Sequence, residues 1–195
     1  RDGLYSDANG AITATSNNVS LYVQGNLALG ALVSANNAIN VTGLSNQSAI
    51  TVGSTDGSDE LRVSASSVQN LQANGGAVLG ASDQQGNITI AGNTNAISSL
   101  SLIGGNIAIN SDLNTGNNTL SIRTLSGDIT SNGTGAITAG DLSIRTSSNR
   151  IVSLTENVIT ANNVSVNSAG GNVALTANNN ITGPIAISTS GGSFS

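Results

Sequence analysis

Residues 119–195 can be cut into four pieces that lie on one another almost without gaps: TLSIRTLSGDITSNGTGAITAG (119–140), DLSIRTSSNRIVSLTENVITAN (141–162), NVSVNSAGGNVALTANNNITG (163–183) and the shorter PIAISTSGGSFS (184–195). A chain that writes one unit repeatedly is constrained to stack that unit, because a single copy cannot bury its own apolar face. Upstream the same word can be followed to about Asn18. Taking the first apolar residue of each leading strand gives Val19, Ile39, Leu61, Val78, Leu100, Leu120, Leu142, Val164 and Ile185. The spacing averages about 21 residues, a period that marks a solenoid.

Within a unit the apolar residues alternate, as they do when successive side chains of a strand point to opposite faces. Leu120 and Ile122 become Leu142 and Ile144, then Val164 and Val166, then Ile185 and Ile187. Nine residues after the first position stand Ile129, Ile151 and Val173, and seventeen after it Ile137, Ile159 and Ile181. Gly, Asn, Ser, Thr and Asp, which turn a chain at little cost, separate them. No window supports an amphipathic helix. Three short strands and three corners per unit predict an all-β, single-stranded, right-handed parallel β-helix of roughly nine coils, with three inward columns at offsets 0, 9 and 17. The hand follows the usual rule for parallel crossovers. Residues 18–195 form the shaft in this reading, with 1–17 an irregular or partial first coil and the whole a piece of a longer chain. An antiparallel sandwich would also show short alternating strands, but has no reason to repeat LSIRT at a 22-residue interval.

Composition narrows the function. Only 2% of the chain is aromatic and 8% charged, there is no His, Cys, Met or Trp, and the net charge is −5. That balance opposes nucleic acid, which needs clustered cations to displace counterions. No apolar run approaches the roughly 20 residues of a membrane span. The absence of Cys suits a protein that crosses a periplasm unfolded. The acidic residues are scattered, His and Lys are missing, and no aromatic platform for a sugar is evident, so the reading assigns no catalytic residues, no cofactor and no enzyme activity.

Three sets of residues remain as candidates. Asp56, Asp59 and Glu60 form the densest acidic cluster and are the calcium candidates, although the calcium-binding repeat GGxGxDxUx is absent. Arg123 and Arg145 share a phase and are the ligand candidates, for a small anion or a glycan. Asp128, Arg150 and Asn172 share another phase and are expected to stack, with an Asp128–Arg150 ion pair. Asn-x-Ser/Thr occurs at Asn18, Asn46, Asn87, Asn117, Asn132, Asn163 and Asn180, where the repeat itself generates it at strand entries and predicts amide ladders between coils.

Units such as GNLAL (25–29), GNITI (86–90), GNIAI (105–109), GDLSI (140–144) and GGNVALTA (170–177) resemble the repeats of filamentous-haemagglutinin-like proteins, the long exoproteins of Gram-negative two-partner secretion. The family's secretion domain carries Asn-Pro motifs, whereas the one proline here, Pro184, follows Gly183. The resemblance therefore implies repeat shaft, from an adhesin at the cell surface or outside the cell, serving adhesion, aggregation or matrix assembly. It implies an outer-membrane transporter during export and glycans or proteins of host or neighbouring cells as partners. A carbohydrate- or ice-binding solenoid and a polysaccharide-degrading β-helix are the alternatives. A repeat that runs to the last residue without a polar cap adds end-to-end self-association to the expectations.

Overall fold

The alternating aliphatics form strands because each is flanked by turn-forming residues and each finds the same sequence one coil away. In a computed structural model, which describes residues 3–6 (backbone), 10–54, 61–147 and 149–195, the chain is a parallel β-solenoid of about eight turns and about 22 residues per turn, with three faces.

The first face stacks Val19–Tyr22, Ile39–Thr42, Ala77–Gly80, Leu100–Gly104, Leu120–Thr124, residues 141–145 and 163–167, and Ile185–Ser188 in parallel register. The second runs from Gly3–Ser6 through Gly25–Leu29 to Val173–Ala174 in nine strands. The third comprises Ile12–Ala14, Val33–Ala35 and Leu71–Ala73. After a break it continues through Thr94–Asn95, Leu113–Asn114, residues 137–139 and 159–161, and Asn180–Ile181. In the strands Ile137–Arg145 and Ile159–Asn167 the third and first faces run together in one continuous strand, the pairing skipping only Gly140 and Asn162 at the corner.

The inward columns form one continuous aliphatic core from Leu21 to Leu175. Ile88, Ile107 and Ile129 are fully buried on the second face, and Leu113, Ile137 and Ile159 on the third. Each such side chain contributes about 1.5–3 kcal/mol by leaving water. Ile185, on the last strand of the first face, is 54% exposed.

The register corrects three expectations. Val78 faces outward opposite Ser101, and Ala77 is the buried residue paired with Leu100. Ile151 is 39% exposed; its neighbour Val152 pairs with Ile129 and fills the core, because the corner at 146–151 is one residue longer than its equivalents. Leu61 does not start a coil on the first face. It pairs on the second face with both Gly25 and Ile50, so the strand Leu61–Val63 wedges between Gly25–Leu29 and Ile50–Val52. The first-face ladder steps directly from Ile39 to Ala77. One enlarged turn thus replaces two expected ones, and the solenoid has about eight turns rather than nine.

That enlarged turn also holds a helix, Ala65–Gln69, where none was expected. Five residues are too few to display a 3.6-residue apolar stripe. Ser64 caps it, with extended backbone and a hydroxyl accepting Ser67 N–H at 3.1 Å. Val68 anchors it in the core. The helix takes over a ladder that the short strand Leu61–Val63 leaves unfinished. Ser67 Oγ accepts Leu29 N–H at 2.9 Å and donates to Leu27 C=O at 2.8 Å, while Asn70 Nδ2 donates to Leu29 C=O at 2.7 Å.

Candidate functional site

Two concavities open on the outer surface of the first face. The larger, about 640 Å³, lies over the early turns. Its walls are two stacked corners, 43–48 and 81–86. Ser48 N–H closes the first on Ser45 C=O at 3.1 Å, Gln84 N–H closes the second on Ala81 C=O at 3.0 Å, and Gln85 N–H ties the two together through Asn46 C=O at 2.6 Å. Gly86 allows this approach, because a Cβ there would be driven into Ser48 C=O. Gln84 is fully buried: its Nε2 donates to Ser48 C=O at 2.6 Å and its Oε1 has no partner. Tyr22, 72% exposed, and the amide of Asn40 line the floor, with Leu44 at the edge. Tyr22 therefore provides an aromatic surface where none was expected. The signal available in the sequence was its outward phase in VSLY and the length of the two corners.

The smaller hollow, about 240 Å³, contains Arg123 and Arg145. Both stand on outward positions of the first face and are opposite one another in the ladder, between Ile103 below and Asn167 above. The repeated LSIRT enforces this: Leu and Ile point in, so Arg must point out. Their backbones are one rung apart, about 4.8 Å, so two like charges stand on neighbouring positions of one outward column. Among the described residues neither guanidinium has a hydrogen-bond or ion-pair partner. Thr124 and Thr146 follow them into the corner. Thr146 Oγ1 donates to Ser168 C=O at 2.9 Å, with Arg150 C=O at 3.2 Å, but the buried Thr124 Oγ1 has no partner.

Asp128, Arg150 and Asn172 do not stack as a set. Ile129 and Val173 share one core column with Val152, so the residue opposite Asp128 is Ile151, and Arg150 sits within the longer corner. Asp128 Oδ1 accepts Ile151 N–H at 2.9 Å in place of the expected ion pair. It belongs to a polar ladder. Asn87 Oδ1 takes Asn106 N–H at 3.2 Å, Asn106 Oδ1 takes Asp128 N–H at 2.9 Å, and beyond the apolar Ile151 the pattern resumes with Asn172 Oδ1 and Ser193 N–H at 3.0 Å. Asn18 and Asn163 are likewise engaged with an adjacent coil, Asn18 accepting Ala38 N–H from the next and Asn163 donating to Asp141 Oδ1 of the one before.

The calcium candidates Asp56, Asp59 and Glu60 lie outside the described residues. Among the described residues no three His, Cys, Asp or Glu side chains converge on one point. No described helix is long and apolar enough to cross a membrane. Compared with known proteins, the chain matches no family model, no curated protein and no solved structure.

Proposed function

We propose that this chain is a structural shaft of a large secreted or cell-surface bacterial adhesin, a rod that holds a binding tip away from its anchor. The observation that carries the reading is how completely the repeat accounts for the sequence. Inward positions form one aliphatic core, and corner amides tie coil to coil. Outward columns are mostly small and polar, such as Ser101, Ser121, Ser143 and Ser165 on successive rungs. The resemblance of the GNITI- and GDLSI-type units to filamentous-haemagglutinin-like repeats supports an exported, extracellular setting, an outer-membrane transporter as export partner, and glycans or proteins of host or neighbouring cells as the tip's targets. Catalysis has no part in this reading. The test is replacement. In cells producing the chain in its natural context, exchanging residues 18–195 for an unrelated solenoid of the same rung number should preserve adhesion, and loss of adhesion would show that these coils do more than span distance. Depolymerisation of an acidic polysaccharide by the purified chain would overturn the non-enzymatic reading.

A second reading, carbohydrate binding by the coils themselves, is favoured by the groove over the early turns. An exposed tyrosine ring with the outward polar side chains of Ser20, Asn40 and Thr42 supplies a stacking surface and hydrogen-bonding groups suited to a neutral saccharide. Tyr22→Ala should then abolish retention on a neutral glycan array; a hit that survives this change would place binding elsewhere.

A further inference from the structure

We propose that the hollow at Arg123 and Arg145 is a binding site for a tetrahedral oxyanion, the sulfate or phosphate group of an acidic polysaccharide or the free ion. The ladder itself creates the site. Register places the two guanidiniums on adjacent rungs of the same outward column, and both line one hollow with Thr124, Ser147 and Asn167. No carboxylate lines that hollow, and neither arginine is paired among the described residues.

This is unusual in a chain of net charge −5 that has only five basic residues. Like charges directly opposite in a sheet are destabilising, and nothing else in the ladder offsets this pair. An anion between them does so. A guanidinium offers a planar fork of N–H donors, and a tetrahedral anion with oxygens on several sides can accept from two forks at once while presenting more acceptor sites than the two oxygens of a carboxylate.

A second observation points the same way. Thr124 and Thr146 are equivalent residues of successive coils, following the paired Arg123 and Arg145. Thr146 spends its hydroxyl on backbone carbonyls. Thr124 is 2% exposed, lines the hollow, and has an Oγ1 with no partner among the described residues. That hydroxyl is itself enclosed, so it would serve an anion only if the side chain turned toward the hollow. The outward serines Ser121 and Ser143 stand two residues before the arginines on the same strands, so a column of hydroxyls runs parallel to the charged pair. A polymer lying along the rod axis would meet hydroxyls and cations at the rung spacing, about 4.8 Å.

The experiment uses the whole chain at low salt, with dextran sulfate and unsulfated dextran as probes in calorimetry, and sodium sulfate against sodium chloride at matched ionic strength in thermal unfolding. Dextran sulfate is expected to bind, and Arg123→Gln with Arg145→Gln to weaken it by at least about tenfold. Arg150→Gln, a corner residue outside the hollow, should stay within about twofold. Arg123→Lys with Arg145→Lys keeps the charge but loses the forks, and should fall between. Circular dichroism of each variant checks the fold, which two exposed side chains should leave intact. If sulfate alone raises the melting temperature, and the double Gln variant removes the rise while dextran sulfate does not bind, the site serves the free ion. Equal binding of unsulfated dextran, undiminished binding by the double Gln variant, or no sulfate-specific effect with either probe overturns the proposal.

Discussion

At the scale of single residues, one position of phase decides whether an isoleucine is structural. Ile129 and Ile151 occupy the same place in the written repeat, yet Ile129 is fully buried and Ile151 is 39% exposed. Ile129→Ala should cost about 2–5 kcal/mol in urea unfolding, and Ile151→Ala less than about 1 kcal/mol. Equal costs would show that the register drawn here is wrong. A similar contrast holds among glycines. Gly53 adopts φ +84°, and a Cβ on Gly92 would be driven into the Gly53 carbonyl across the coil interface. Gly92→Ala should therefore destabilise, whereas Gly116, around which a Cβ would meet nothing, should lose stability only through its φ of +57°. The inward columns were legible in the sequence because Leu120, Leu142 and Val164 recur at a nearly fixed interval. The slip at Ile151 was not, because an extra corner residue leaves the apolar pair Ile151-Val152 readable in either phase.

At the scale of elements, the strands were legible and the helix was not. Alternation over three residues is enough to mark a strand when the repeat supplies the phase. Ala65–Gln69 carries no such support, and only Ser64 followed three residues on by Ser67 hints at a cap. Its role rests on side chains that replace backbone bonds. Ser67→Ala removes at once the acceptor for Leu29 N–H and one of two donors to Leu27 C=O, the other being Ser64 N–H, and should cost about 1–3 kcal/mol. Amide exchange at Leu29 should accelerate in the variant, and an unchanged rate would mean that another group takes the bond. The candidate sites divide in the same way. The pairing of Arg123 and Arg145 could be read from LSIRT, since residues of equal phase meet in a stack. The groove at Tyr22 was legible only in the outward phase of that tyrosine in VSLY and the length of the two corners, because no periodicity describes how corners of irregular length wall it.

At the scale of the whole molecule, stability should follow the stack. Each rung is held by its two neighbours, so the middle of the ladder is protected from both sides and the last rung from one. Amides of Leu100–Gly104 should exchange with global unfolding, and those of Ile185–Ser188 faster. Uniform protection along the rod would contradict a nearest-neighbour account. The wedged strand Leu61–Val63 has a different consequence. A stack of near-identical layers can slide by one whole layer and still match apolar to apolar, as 119–140 and 141–162 would if exchanged. An extra half-layer confined to one side is what a crystallographer calls an edge dislocation, and it gives the stack an origin. Every later layer is counted from that defect, so the chain has one way to wind where a perfect repeat would have several.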